Sequence, residues 1–450
     1  MPVTEGEGTL HRINDRLSVA LVALLLASPI PFASHGATYW TASAVAIGLI
    51  AAVYWTRVWT ARFHPRVPIG AFRMEAALFS LFCLALLLQA FPLPLVRSTI
   101  SLADGTVAVA PTISLSPDDT WLMLMRQVGY GLFWFLVVQV AVNVRRARLL
   151  LLVAFAMIST HAIYALISLT QLGDTLIGLP KTAYLGFATG TFVNRNSFAT
   201  FLACGISIGA ALLLDGLLDR PRHGTTRQWA ERASLALGLG FITAALIATG
   251  SRMGLVAAAA GAATIIVVHA VARPTRTVWL AGLALLGTGL IVAIGYGGTL
   301  VDRVVGLLGG TDARWALYLQ IIEMIEERPW TGFGGGSFAV VFPVFQRPPV
   351  DGGFIWDLGH STYLSLWAEL GILAGSLPIL IVAGLAVRIA RSAREPSNLL
   401  VAAAALGSTT AFGLHALVDF SLEIQANAYL FLFTLGIAAG RCASGPQRDG

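Results

Sequence analysis

Residues 149–171 read LLLLVAFAMISTHAIYALISLTQ, a run without any Asp, Glu, Lys or Arg. A helix of about 17–25 apolar residues is long enough to cross a lipid bilayer. Arg145, Arg146 and Arg148 stand immediately before the run, and cytoplasmic loops of membrane proteins are enriched in such basic residues. The stretch therefore predicts a transmembrane helix whose first residue lies on the cytoplasmic side.

The same pattern recurs along the 450-residue chain. Apolar runs of spanning length lie near residues 17–33, 38–56, 75–92, 121–143, 149–171, 197–215, 233–250, 254–272, 277–296, 361–387, 398–418 and 427–440. The composition agrees, because 56% of the residues are hydrophobic and only 12% are charged, whereas soluble domains carry about 25% charged residues. Continuous runs also exclude a β-barrel, whose strands alternate. The sequence predicts an all-α integral membrane protein of about twelve transmembrane helices, forming a single polytopic membrane domain over residues 1–450.

The basic residues indicate an orientation. With the N-terminus inside, 20 of the 29 basic residues fall in cytoplasmic segments, and every such segment carries at least two. This distribution follows the positive-inside rule and predicts that both termini are cytoplasmic. It also explains the net charge of +6 without a nucleic-acid partner, and we expect none.

Three segments on the outer side are too long to be turns: about 93–120, 172–196 and 297–360. The longest, between spans nine and ten, is predicted to contain a helix over 312–328 that ends before Pro329. Apolar residues at 3-4 spacing within this helix are predicted to form one face, lying on the membrane surface or on the outer ends of the spans. They are Trp315, Tyr318, Leu319, Ile322 and Ile325.

Nine basic residues remain on the outer side, where the positive-inside rule disfavours them. Three stand out by context: Arg195 where the chain enters a span, Arg252 in a tight turn between two spans, and Arg314 at the start of the loop helix. His360 begins the tenth span on the same side. Each could simply cap a helix or extend to the interface. Together, guanidinium forks that bind phosphate bidentately and an imidazole base suit a lipid-linked phosphate or pyrophosphate.

Other candidate features carry weaker signals. The run Gly332-Phe-Gly-Gly-Gly-Ser337 lacks the Lys-Ser/Thr of a P-loop, so we interpret it as a flexible turn whose backbone N–H groups could contact phosphate. His415 and Asp419, near the outer end of span eleven, are interpreted as supporting residues. No His, Cys and Asp cluster has metal-ligand spacing, and we expect neither a metal nor another cofactor.

Taken in order, these stretches resemble the O-antigen ligase and polymerase superfamily over roughly residues 150–430. The resemblance lies in Phe192-Val-Asn-Arg-Asn-Ser-Phe198, Ser251-Arg252, Arg314-Trp315, Arg328-Pro-Trp-Thr-Gly-Phe-Gly334, His360-Ser361 with Gly371 ten residues after the serine, and His415-Ala-Leu-Val-Asp-Phe420.

The resemblance implies a bacterial inner-membrane glycosyltransferase with a periplasmic active site, acting in lipopolysaccharide biosynthesis. Such enzymes move a glycan from undecaprenyl pyrophosphate to an acceptor hydroxyl, here lipid A–core, without a metal. It implies that Arg195, Arg252 and Arg314 bind the pyrophosphate, and that His360, Arg252 and Arg314 are catalytic. Five neighbouring polar residues are candidates for holding them in place. These are Asn194, Asn196, Ser361, His415 and Asp419.

Two alternatives stay open. The ligases of the superfamily carry Gly, Thr or Tyr where this chain has Ala374, so a polymerase that extends an O-antigen or exopolysaccharide glycan on its lipid carrier is the second interpretation. A polysaccharide or lipid-carrier transporter is the third. Transporters usually place ionisable groups near the bilayer midplane, whereas the candidates here lie at the outer ends of spans, which favours chemistry at the interface.

Overall fold

The structure, a computed structural model, describes residues 5–93, 98–101, 106–218, 225–285, 287, 313–350, 352–353 and 356–444. The helices within these residues are α1 Glu5–Ala27, α2 Ala37–Thr60, α3 Arg73–Ala90, α4 Pro117–Val140, α5 Val144–Thr170, α6 Arg195–Leu218, α7 Thr226–Ala248, α8 Arg252–Ala272, α9 Arg276–Leu285, α10 Ala313–Glu327, α11 Phe338–Val341, α12 Thr362–Ser392, α13 Leu399–His415 and α14 Gln425–Ala443. The strands are β1 Ser98–Ser101, β2 Val107–Ala110, β3 Thr175–Leu176 and β4 Leu179–Pro180.

A helix coincides with each of the twelve predicted spans, although part of the ninth lies outside the described residues. Within the described part of the chain, nine helices are long and apolar enough to cross a membrane. The others are α1, whose first half is polar, and α9 and α13, which are short apolar helices. A membrane protein with several spans is therefore confirmed, and the count of twelve stays a prediction.

The prediction of an all-α chain needs one correction, because two antiparallel hairpins lie in the loops between spans. β1 pairs with β2, with Thr99 opposite Val109 and Ile100 opposite Ala108. β3 pairs with β4 over two residues on each side. β-Branched residues favour extended backbone, and strands this short leave no recognisable pattern in the sequence.

α6 and α14 form the centre of the bundle. In their membrane-spanning segments, 61% and 83% of the residues are buried. Small residues let their neighbours approach closely, as is usual between helices in a bilayer. On α8, a Cβ added to Gly261 would lie 2.8 Å from the carbonyl oxygen of Gly407 on α13. The close packing of α6, α8 and α13 brings the first residues of α6 and α8 to the same end of the bundle as the last residue of α13.

The loop helix α10 forms where the sequence predicts it, but it buries a different face. Leu317, Ile321 and Met324 are at most 1% exposed, whereas Trp315 and Leu319 are 48% and 47% exposed. The helix is apolar on two sides, so 3-4 spacing alone could not decide which side packs on the protein. Contact between the exposed side of α10 and a membrane surface stays a prediction.

Candidate functional site

Three helices begin at the end of the bundle that carries the predicted site. Arg195 is the first residue of α6, Arg252 is the first of α8, and His360 lies two residues before α12. The N-terminus of a helix carries a partial positive charge and unpaired N–H groups, and both favour an anion. Two of the arginines predicted to bind phosphate are therefore placed where the helix backbone favours the same ligand.

Side chains cap each of these helix starts. The Asn194 side-chain oxygen accepts a hydrogen bond from the Asn196 backbone N–H at 2.7 Å, and Ser251 caps α8. The Ser361 hydroxyl accepts from the Leu364 N–H at 3.5 Å. Caps fix the direction in which the chain enters a helix. Asn194 and Ser361 thus orient Arg195 and His360, while Asn196 contributes its backbone N–H.

Arg195 lies against the turn that leads into α8. Its Nη1 donates to the Thr249 carbonyl oxygen at 3.3 Å, and its guanidinium lies 4.1 Å from the centre of the Phe187 ring. Gly250, at φ +61°, leaves the necessary room, because a Cβ there would lie 2.9 Å from Arg195 Nη1. Arg195 and Arg252 are therefore joined through one short turn.

Tyr184 lies beside Arg195 and within the electrostatic influence of Arg314. The Arg195 guanidinium lies 5.8 Å from the centre of the Tyr184 ring, and the Asn194 side-chain amide donates to the Tyr184 hydroxyl at 3.2 Å. Burial raises the pKa of Tyr184 and Asp419 raises it further, while the charges of Arg314 and Arg195 oppose this rise. Both arginines therefore act electrostatically on the same phenol.

His360 is enclosed by aromatic rings. Its imidazole makes edge contacts with Trp356 and Phe420, at centroid distances of 5.6 Å and 4.9 Å, and its carbonyl oxygen accepts from the Tyr318 hydroxyl at 3.0 Å. Burial and then the charge of Arg314 lower the pKa of His360 to about 4. The imidazole is thus neutral at pH 7, and its Nδ1 is buried with no hydrogen-bond partner among the described residues.

His415 and Asp419 lie beside this site in a buried polar network. Ser421 donates to Asp419 Oδ2, and the Ser197 hydroxyl donates to the same oxygen at 3.4 Å. His415 Nδ1 shares a hydrogen bond with the Thr200 hydroxyl and lies 3.9 Å from Asp419 Oδ2. Burial raises the pKa of Asp419 to about 6. The network ties the start of α6 to the end of α13, an arrangement consistent with the supporting role predicted for His415 and Asp419.

The glycine-rich segment is a fixed turn, so the interpretation as a flexible turn is wrong. The N–H groups of Phe333 and Gly334 donate to the carbonyl oxygens of Ala368 and Glu369 at 3.1 Å and 2.8 Å, and the Gly335 N–H donates to Gln89 Oε1 at 3.1 Å. These backbone N–H groups are therefore committed to α12 and α3 and cannot bind a phosphate.

Sequence reasoning missed several residues of this end of the bundle. They are Gln89, Tyr184, Ser197, Thr200 and Ser421. Ser197 and Thr200 are spaced three apart on a mostly apolar helix, a detectable signal for a polar contact inside a membrane bundle. Tyr184 gave no such signal, because only the folded loop places it beside Arg195. Within the described residues, no group of three or more His, Cys, Asp or Glu side chains could hold a metal ion.

The fold and the site define a multi-span membrane protein with an arginine and histidine cluster at one end of its helices. Residues 237–379 match the model of a protein family described as O-antigen ligase. The match covers about a third of the chain and confirms, over these residues, the resemblance to the O-antigen ligase superfamily. It includes Arg252, Arg314 and His360, whereas Arg195, His415 and Asp419 lie outside it. The chain matches none of the curated proteins compared with it.

Proposed function

We propose that this protein is a bacterial inner-membrane glycosyltransferase of the O-antigen ligase type. It transfers a glycan from undecaprenyl pyrophosphate to a hydroxyl of lipid A–core at the periplasmic face. The observation that carries the proposal is the neutral His360, with an unpartnered buried Nδ1, within the field of Arg314. A base and an anion-binding group next to each other are what transfer from a pyrophosphate to a hydroxyl requires.

The chemistry balances with the residues of the cluster. The bond between the anomeric carbon and the pyrophosphate oxygen breaks, and a bond from that carbon to the acceptor oxygen forms. His360 takes the acceptor's proton, and Arg195, Arg252 and Arg314 stabilise the charge that develops on the pyrophosphate. Preorganised donors of this kind contribute about 3–4 kcal/mol each in well-studied active sites.

The N-termini of α6 and α8 strengthen the same anion site. Their partial positive charges lie beside Arg195 and Arg252 and need no reorganisation when the leaving group departs. The buried network of His415 and Asp419 holds α6 and α13 in register, so these two residues position the site and do not react. Asn194, Asn196 and Ser361 act in the same way through the starts of α6 and α12.

Two other functions are distinguishable from this one. A polymerase of the same superfamily would use the same arginines and His360, and it is the second candidate because Ala374 stands where superfamily ligases carry Gly, Thr or Tyr. A transporter would move the lipid-linked glycan without breaking its pyrophosphate bond. The position of the arginines at helix ends, and not at the bilayer midplane, speaks against a transporter.

Reconstitution tests the proposal directly. The purified protein is placed in liposomes with a defined undecaprenyl-pyrophosphate-linked glycan and with lipid A–core. We expect the glycan on lipid A–core, and in its absence no lengthening of the lipid-linked glycan. Elongated lipid-linked glycan would instead identify a polymerase, and flux of intact donor without transfer would identify a transporter.

Replacing the base separates chemistry from binding. His360→Gln should lower turnover by about 10²–10⁴-fold while donor binding changes little. His35→Gln is the matched control, since His35 is also partly buried near this end of the bundle and its pKa is also lowered by burial. If His360→Gln turned over at the wild-type rate, His360 would not be the base and would only stand at the start of α12.

A further inference from the structure

A cavity lies between α1 and α2, and its arginine-lined end is opposite the end of the bundle that carries His360. Its volume is about 720 Å³, and we call it the α1–α2 cavity. Ser43, near the first turn of α2, contacts Gln425 at the start of α14, next to the site. Arg57, near the last turn of α2, lines the cavity. Because α2 is 24 residues long, the Arg57 end of the cavity and the site are separated by most of the membrane thickness.

Charge and apolar surface are segregated along the cavity. Its mouth is formed by Arg12 and Arg16 from α1 and by Arg57 from α2. α2 continues away from the mouth through Val53 to Leu49, about 12 Å deeper at 1.5 Å per residue. On α1, Leu17 and Ala20 continue the apolar wall. A cationic mouth above an aliphatic body has the polarity of a phospholipid seated among helices.

Tyr54 forms part of the cavity wall one turn deeper than Arg57. Its side chain is only 3% exposed, so its ring adds apolar surface below the arginines.

Arg16 and Arg57 keep the mouth positively charged. Asp15, next to Arg16, is paired with Arg146, and Arg66 contacts the His11 ring at 2.7 Å. No ion pair within the described residues joins Arg16 or Arg57 to a carboxylate. Basic pockets between membrane helices are typical binding sites for anionic lipid headgroups.

We infer that the α1–α2 cavity binds an anionic glycerophospholipid of the inner leaflet. The phosphate lies among Arg12, Arg16 and Arg57, and an acyl chain lies along the wall from Val53 to Leu49. A soluble phosphate would use the arginines and leave the aliphatic wall empty. The lipid is therefore the occupant that fits both halves of the cavity.

The test uses the full chain in a neutral detergent with dioleoyl phosphatidylglycerol, and dioleoyl phosphatidylcholine as the zwitterionic comparison. Native mass spectrometry measures the bound lipid, and the melting temperature reports its binding, because a ligand of the folded state stabilises it. We expect phosphatidylglycerol to bind and to raise the melting temperature, and phosphatidylcholine to do neither.

Substitutions locate the binding. Replacing Arg12, Arg16 and Arg57 together by Gln should weaken phosphatidylglycerol binding about a hundredfold, from roughly fivefold for each basic residue. If the triple variant does not fold, Arg57→Gln alone should still show about a fivefold loss.

A matched control carries the same change of charge. Arg276, Arg391 and Arg394 are exposed and line none of the cavity, so replacing all three by Gln should leave the affinity unchanged. If both triple variants lost the same affinity for phosphatidylglycerol, the lipid would be held by general attraction to the basic surface and not by a specific site. Wild-type binding in the first triple variant, or an equal thermal shift with glycerol 3-phosphate alone, would overturn the proposal.

Discussion

Gly332 and Gly371 are packed backbone against backbone beside the site. A Cβ on Gly332 would lie 2.3 Å from the Glu369 carbonyl oxygen, and a Cβ on Gly371 would lie 2.4 Å from the Trp330 carbonyl oxygen. Gly371 has φ 75° and ψ 164°, a conformation essentially restricted to glycine. The N–H of its neighbour Ile372 donates to the Pro329 carbonyl oxygen at 2.8 Å. The loop after α10 is thereby fixed to a break in α12, eleven residues after His360.

Any side chain at this contact should separate the loop from α12. We expect Gly371→Ala to lower the free energy of unfolding by about 2–4 kcal/mol, from the strained backbone and the overlap with Trp330. Thermal melting in detergent measures the change. Gly240→Ala on α7 is the control, because nothing lies within 4 Å of its added Cβ, and alanine there should be neutral or slightly stabilising. Equal stability of the two variants would contradict the close packing.

The pH dependence of transfer should follow the lowered pKa of His360. A general base works in its neutral form. The acid limb of the kcat/KM profile should therefore fall near pH 4, where His360 titrates, and not near the ordinary pKa of about 6.5. Removing the positive charge in Arg314→Gln makes the protonated imidazole less unfavourable, so the pKa rises and the limb moves to higher pH. Burial is the larger cause, so the limb should move only part of the way to 6.5.

Asp419 also titrates in the acidic range, since burial raises its pKa to about 6. The profile of kcat/KM should therefore be measured for Asp419→Asn as well. A limb that disappears in this variant belongs to Asp419, and the limb that remains belongs to His360. A wild-type profile with a limb near pH 6.5 that Asp419→Asn leaves unchanged would contradict the buried, neutral base.

The side on which the loop lies can be measured by labelling. Cysteines introduced at Gly352 and Thr226 are both exposed, and a Cβ at Gly352 meets nothing within 4 Å. In a background without the three native cysteines, an impermeant thiol reagent outside intact spheroplasts should modify the cysteine at 352 and not the one at 226. The reverse pattern would place the site in the cytoplasm and end the periplasmic proposal.

Much of this arrangement was predictable because a bilayer imposes it. Long apolar runs predicted the spans, and outer-side arginines such as Arg252 were conspicuous against the positive-inside rule. The packing was not predictable in the same way. α10 is apolar on two sides, so its buried face depends on what it meets, and the glycine turn at 332–337 reads as flexible until Glu369 and Gln89 are beside it. Both depend on contacts between residues more than thirty positions apart.

We expect transfer to proceed in excess EDTA and without ATP. Three guanidinium groups would carry the leaving-group charge in this site, and the lipid-linked donor already contains its activated pyrophosphate bond. Turnover is measured with the reconstituted protein before and after dialysis against EDTA. Activity lost with the chelator and regained with Mg²⁺ or Mn²⁺ would show that a cation, and not the arginines alone, neutralises the pyrophosphate.

The arginines should need their shape as well as their charge. Lysine keeps the positive charge but has a single ammonium in place of the planar fork that binds two phosphate oxygens together. We therefore expect Arg252→Lys and Arg314→Lys to lower turnover by about 10²–10³-fold, the loss typical of one misplaced transition-state donor.

Arg347→Lys is the matched control, because Arg347 lies in the same loop region as Arg314, is 59% exposed and pairs with Glu323. Its turnover should equal that of the wild type. Turnover and donor binding measured side by side for the three purified variants decide the point: if the Arg252 and Arg314 variants stay within a fewfold of the control, a point charge suffices and bidentate binding of the pyrophosphate is wrong.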